Sequence, residues 1–345
     1  MGTSDTVLIR TRLHWLIVFG TTVLSLVPIG ALPQAPSSSG QDLDGVLLKK
    51  QYPQLEQALQ AHSEELSPQA RSYFSGVMAN RLNRTTESLE LLEPLIPNLR
   101  ISNPARGEVA LCTVADDYAK IHLYGEAART YAEASRVASQ QKLNSTCDAA
   151  REASRWALLR NAPAQTVTSA GEFTIQGQWD VLGLIQVPVS GGGYGGLWIL
   201  DSGANISVIS QSVAEQMGVA ISAATDMAQG ASGAPAPVQG EIVPELRLGS
   251  AIFHNLPVLV VADSKLDFPQ VNYRIEGSLG LPVLAALGRV TVYRTGWIDF
   301  GGTGDVAPKA FVHNLFLEKF TPVITANFGL GDQLFTIDTG AASTS

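Results

Sequence analysis

The chain has 345 residues, enough for two or three domains that each bury a core. A formal net charge of −8 and the absence of any Lys/Arg run argue against nucleic acid as a partner. Two cysteines, Cys112 and Cys147, exclude a disulfide-dense scaffold and a four-cysteine zinc site.

Arg10 and Arg12 precede an uncharged run from Leu13 to Pro33, rich in Leu, Ile and Val. Small residues follow it, in Ala31-Leu32-Pro33-Gln34-Ala35 and a Pro/Ser/Gly stretch to Gly40. A basic flank, an apolar core and a small-residue end predict an export signal over residues 1–35. The run also approaches the roughly 20 residues that span a bilayer, so an uncleaved membrane anchor is the alternative. Either way the remainder is expected outside the cytoplasm: periplasmic, secreted or membrane-anchored. Residues 36–45 read as a linker.

Over residues 46–160 apolar positions recur three and four apart among Ala, Leu, Glu, Gln and Arg, the pattern of amphipathic helices. Ser67-Pro68 and Asn103-Pro104 predict helix starts. Gly125 is expected to break a helix at a short turn. Asp117-Tyr118-Ala119-Lys120 with Tyr124-Gly125-Glu126-Ala127-Ala128 resembles a tetratricopeptide repeat, and Arg84 to Leu92 aligns with it loosely, at a longer spacing. The resemblance implies an α-hairpin array, which serves either to bind a protein partner or simply as packing scaffold. Both cysteines lie in this helical sequence, where two buried small side chains are preferred to a disulfide.

Near Asn161 Gly, Val, Pro and alternating apolar residues take over. Phe173 to Val189 predicts two strands, and Gly191-Gly192-Gly193-Tyr194-Gly195-Gly196 a hairpin loop. That loop contains G-x-G-x-x-G, but a strand follows it rather than a helix, so it does not bind a dinucleotide. The next strand, Leu197-Trp198-Ile199-Leu200, runs into Asp201-Ser202-Gly203-Ala204. The pattern returns as Leu334-Phe335-Thr336-Ile337 before Asp338-Thr339-Gly340-Ala341. Two carboxylates brought together from such turns can share one proton and activate a water. The hydroxyls of Ser202 and Thr339 can bond across the pair, and Gly203 and Gly340 let the turns approach without side-chain collision.

After Ala204 come a short helix (Val213 to Met217), a small-residue loop from Gly230 to Gly240, and strands at Val243–Leu248 and Ile252–Val261. Glu276-Gly277-Ser278-Leu279-Gly280, Val290-Thr291-Val292 and Trp297-Ile298-Asp299-Phe300 close the unit. This order resembles the retropepsin-like aspartic proteases, in their bacterial exported form. The counterparts are the Asp201–Ala204 turn, the Gly230–Gly240 flap, Asn255-Leu256-Pro257-Val258-Leu259-Val260 and Ser278-Leu279-Gly280. The resemblance covers residues 173–302 as one lobe and 320–345 as the start of a second. It implies a multidomain α plus all-β chain, with a helical array followed by an acid-protease β-barrel lobe. It also implies catalytic Asp201 and Asp338, and a flap contacting substrate through Gly230, Ser232 and Gly233.

The function so implied is an aspartic endopeptidase acting on polypeptide, with no metal or organic cofactor. The alternative is a non-catalytic cell-envelope protein that binds a partner through its helical array. Two features depart from the family pattern: Ser278 stands where an apolar residue is usual, and the flap has no Tyr or Trp. Only seven residues follow Asp338, so the chain is expected to be truncated. In that case two copies could instead pair their Asp201 carboxylates, leaving Asp338 idle. His14, His62, His122, His254 and His313 show no ligand spacing, and no Gly-x-Ser-x-Gly elbow suggests a serine hydrolase.

Overall fold

A computed structural model describes residues 6–10, 42–169, 171–229, 235–301, 313–327, 329 and 332–341. The helical half comprises α1 (Leu43–Leu48), α2 (Tyr52–His62), α3 (Pro68–Arg81) and α4 (Thr85–Leu92), then α5 (Ile96–Ser102), α6 (Pro104–Lys120), α7 (Tyr124–Gln141) and α8 (Ala149–Ala157). The first helix therefore begins inside the stretch expected to be linker. Local chemistry sets two starts where predicted. Ser67 Oγ accepts the Ala70 N–H at 3.2 Å, and Asn103 Oδ1 accepts that of Arg106 at 3.2 Å, each just before a proline that needs no hydrogen-bond partner.

Gly125 does not break a helix; it is the second residue of α7. A Cβ there would lie 3.0 Å from Arg160 O, so the glycine admits the backbone beyond α8. The expectation for the cysteines is also corrected. Cys112 on α6 is bonded to Cys147, which lies in the non-helical segment before α8. Glu108, one turn before Cys112, accepts Thr146 N–H and the Ser145 and Thr146 hydroxyls, fixing that segment. Closing a 35-residue separation removes chain entropy worth about 4 kcal/mol. Replacing both cysteines by alanine should therefore lower the urea midpoint of unfolding by a corresponding amount; an unchanged midpoint would show the bridge to be dispensable.

The β half is built around strands whose pairings return to their start. Tyr194–Leu200 pairs antiparallel with Ile185–Gly191, which pairs with Pro235–Leu248 and that in turn with Ala251–Val261. Ala251–Val261 runs parallel to Ser207–Ser210, and the short strand Gly277–Leu279 lies between Ser207–Ser210 and Tyr194–Leu200. Burial alternates along Ile185, Val187 and Val189, the period of a strand with one face inward. The expected six-residue glycine loop shrinks to Gly192-Gly193, both with positive φ (57° and 87°), which matches the twist of a two-residue hairpin. Phe173 to Val189 holds three strands rather than two. Phe173–Gln176 leaves for a second sheet with Trp297–Phe300 and Arg289–Tyr293.

Asp226–Gln229 pairs antiparallel with Pro235–Leu248; the predicted flap residues Gly230, Ser232 and Gly233 lie outside the described residues. Short helices α9 (Gln211–Gln216) and α10 (Leu281–Leu287) complete this half. Within the segment expected as a leader, Thr6–Arg10 pairs antiparallel with Arg289–Tyr293, and Leu13–Pro33 lies outside the described residues. Among the described residues no helix is long and apolar enough to cross a membrane.

A three-stranded antiparallel sheet follows: Leu315–Glu318, Thr321–Asn327 and Asp332–Thr336. It begins before the residue 320 read from the sequence. The cores do not follow the sequence divisions either. One runs unbroken from Leu111, Tyr131 and Trp156 of the helices to Trp198, Ile209 and Val258 of the β half. The other joins Tyr52, Phe74 and Leu92 to Phe316 and Val323 of the three-stranded sheet.

Candidate active site

Trp198, Ile199 and Leu200 are buried, so the strand carrying them is held on both sides and delivers Asp201 at a fixed point. The Asp201 N–H donates to Leu279 O at 3.0 Å, and Leu281 N–H donates to Ala204 O at 2.9 Å, clamping both ends of the turn to the Gly277–Leu279 strand and its exit. Gly203 and Ala204 N–H groups each reach Asp201 Oδ1 at 3.1 Å. Asp338 repeats half of this pattern, its Oδ1 accepting Gly340 N–H at 2.8 Å. The Ala341 N–H instead reaches Asp338 O, at 3.5 Å.

The two turns face one another and exchange bonds in reciprocal pairs. Ser202 Oγ donates to Ile337 O at 2.9 Å and accepts Thr339 N–H at 3.0 Å. Thr339 Oγ1 donates to Leu200 O at 2.7 Å and accepts Ser202 N–H at 3.0 Å. Each hydroxyl thus satisfies a donor and an acceptor of the opposite turn, and Ser202 is completely buried. The glycines set the separation. A Cβ on Gly203 would lie 2.6 Å from the Asp338 carboxylate oxygens, and one on Gly340 would lie 2.5 Å from the Asp201 carboxyl carbon.

The carboxyl groups are consequently in contact but unequal. Burial pushes Asp201 up to about 6, and the adjacent negative charge of Asp338 adds to the rise, against the pull of the Gly203 and Ala204 amides. Asp338 is the exposed partner. Its strand differs from the first copy: Leu334 and Phe335 are 36% and 38% exposed, whereas Trp198 and Leu200 are buried. The reason is position, since Tyr194–Leu200 lies between two neighbours while Asp332–Thr336 is the outer strand of its sheet.

Two contributors escape the sequence reading. Asn205 Oδ1 accepts from Thr321 Oγ1 at 3.3 Å, tying the segment after the first turn to the three-stranded sheet. Ser207 Oγ accepts Gly280 N–H at 3.0 Å, fixing the strand crossing beneath Asp201. In the sequence the Asn-x-Ser spacing of Asn205 and Ser207 shows only as a glycan acceptor pattern. Ser278, the departure from the family pattern, is buried between Ile199 and Val208 in the register. Among the described residues, Glu108, Cys112 and Cys147 bring ligand-type atoms together, but both sulfurs are spent in the disulfide.

The segment around the Asp201 turn is similar to known proteins. Residues 187–283 match the aspartyl protease family model. The matched segment holds Asp201, Ser207 and the Gly277–Gly280 crossing, and Asp338 lies outside it. It lies inside residues 173–302, where the sequence resembles retropepsin-like aspartic proteases. The chain is also similar to the crystal structure of a retropepsin-like aspartic protease from Rickettsia conorii, at 14% identity and a TM-score of 0.27, covering 40% of this chain and 92% of that one. No curated protein matches the chain.

Proposed function

We propose that the chain is an exported aspartic-type endopeptidase whose reacting groups are Asp201 and Asp338. The observation that carries this reading is the reciprocal Ser202–Thr339 grip, which holds two carboxyl groups in contact over the partner turn's glycine. Asp201, with its raised affinity for a proton, is the acid of the resting pair. Asp338, ionised, takes a proton from a water lying between them. The oxygen of that water attacks the peptide carbonyl while Asp201 protonates the carbonyl oxygen. The resulting gem-diol collapses as the proton held by Asp338 passes to the amide nitrogen and one hydroxyl proton returns to Asp201, releasing an acid and an amine, consuming one water and restoring the resting pair.

Several features support the finer parts of the reading. The closed circuit of strands fits an acid-protease barrel lobe, and the three-stranded sheet fits the start of a second. The α6–α7 pair, joined by a three-residue turn at Ile121–Leu123, fits a tetratricopeptide-like hairpin. The disulfide fits an oxidising compartment, in line with the leader read at residues 1–35. Pairing of Asp201 with Asp338 of the same chain makes the two-copy arrangement unnecessary.

The test is cleavage of an unfolded protein by the full chain across pH. The pair needs one proton, so the rate should be highest in acid and fall as pH rises through about 6. Stability should move the same way. A carboxyl whose pKa is raised on folding contributes stability that is complete below its unfolded value of roughly 3.9 and is lost as pH rises through the folded value. A rate that stays flat or climbs up to pH 8 would remove the reading.

A further inference from the structure

The helical half and the three-stranded sheet meet around one turn, with a further bond from Gln54 to Asp332 at 2.8 Å, and the contacts at the turn are built rather than incidental. The turn joins Leu315–Glu318 to Thr321–Asn327 through Lys319 and Phe320. Phe316 is 1% exposed and packs on the Tyr52 ring at 5.3 Å; Phe320 packs on Trp156 at 5.8 Å; Val323 is buried in the same core as Phe316. Between these anchors sit two opposite charges. Glu318 accepts from the hydroxyl of Tyr52 and the ammonium of Lys50, and the Arg81 guanidinium lies over the Tyr52 ring. Lys319 donates to Glu152 Oε1 at 2.7 Å and to Cys147 O at 3.1 Å.

A slip of one residue would put either Lys319 against Arg81 and Lys50 or Glu318 against Glu152, depending on its direction. The sockets therefore select one register as well as supplying attraction. From this turn to the dyad the path is short. Pro322 O accepts Ile337 N–H at 2.8 Å, Ile337 O accepts from Ser202, and Asp338 is the next residue. This patch of the helical half is occupied by the chain itself.

We propose that the helical half is a positioning platform: Tyr52, Lys50 and Arg81 seat Glu318, and Glu152 seats Lys319, so that Asp338 is held against Asp201. The role rests on the endopeptidase reading given above. Burial alone would raise the Glu318 pKa, but the bonds from Lys50 and Tyr52 and the Arg81 charge hold it below the usual range.

The experiment uses the full chain with Glu318→Ala, Glu318→Gln and Tyr52→Phe. Two readouts are taken: kcat and KM on an unfolded protein, and the titration of the Asp201 carboxyl by carbon-13 NMR. Misplacing one carboxylate by an ångström is expected to cost about tenfold to a hundredfold in kcat. KM should stay within about twofold, because substrate contacts are not removed. Asp201 should titrate lower than about 6, moving toward the ordinary range, since the charge of Asp338 has receded. Glu318→Gln, which keeps an oxygen for Tyr52, should fall between Glu318→Ala and the parent.

Should Glu318→Ala not fold, Tyr52→Phe removes one oxygen and carries the same comparison. An Asp201 titration unchanged in a folded variant overturns the proposal whether or not activity is lost. If the parent chain cuts nothing, the endopeptidase reading fails by itself, and the titration still decides whether the helices position Asp338.

Discussion

Asp201→Asn and Asp338→Asn should each lower kcat/KM by about 10²–10⁴-fold while leaving the fold intact. An amide cannot exchange the proton that the reaction moves between water, carbonyl and leaving nitrogen, and loss of one such group typically costs this much. Asn keeps the shape, and its carbonyl oxygen can still accept the Gly203 and Ala204 amides that now bind Asp201. The Asp201→Asn variant also loses a buried carboxyl that resists ionisation beside Asp338. Its melting temperature at neutral pH should therefore equal or exceed that of the parent. Lost activity with retained melting separates chemistry from folding, whereas normal cleavage by either variant would take the dyad out of the mechanism.

Gly203→Ala and Gly340→Ala should be nearly as damaging, for a steric reason. Each new methyl would lie 2.4–2.8 Å from atoms of the facing carboxyl group, closer than real side chains pack. The turns cannot separate without stretching the four bonds of the Ser202–Thr339 grip, which are already at 2.7–3.0 Å. We expect about a hundredfold loss of kcat, from displacement on the ångström scale. Asp201 should titrate lower as the carboxyls part. Gly195→Ala is the control, because at that position the nearest atom, Val189 O, is 4.0 Å away and the parent's activity should persist. Equal activity of the Gly340→Ala variant and the control would show that close approach of the turns is unnecessary.

Local chemistry is readable because it acts over a few residues. Ser67 and Asn103 cap helices through amides three positions on, so their spacing to proline is enough. The Asp201 and Asp338 turns are readable for the same reason: each carboxylate is bound by amides within three residues, and the motif occurs twice. The apolar strand before Asp201 and the small-residue stretches between strands give the general course of the β half.

Other features depend on which distant surfaces meet. Cys147 reads as a helical, unpaired residue because nothing near it in the chain reveals Cys112, 35 residues away. Gly125 reads as a helix breaker because the Arg160 carbonyl that requires it belongs to another element. The Leu334–Ile337 segment has the composition of the Leu197–Leu200 strand, yet one is an outer strand and the other lies inside a circuit, a difference of neighbours that composition does not record. By itself the sequence determined the two acid turns, their hydroxyl and glycine partners, and the helix starts, since each rests on hydrogen bonds or steric limits within a turn's length. Only the tertiary structure decided that the turns grip one another, that Asp201 is the buried member, and that Phe316, Glu318 and Lys319 are seated among the helices. Those outcomes come from packing and charge pairing between segments well over a hundred residues apart, where no local rule operates.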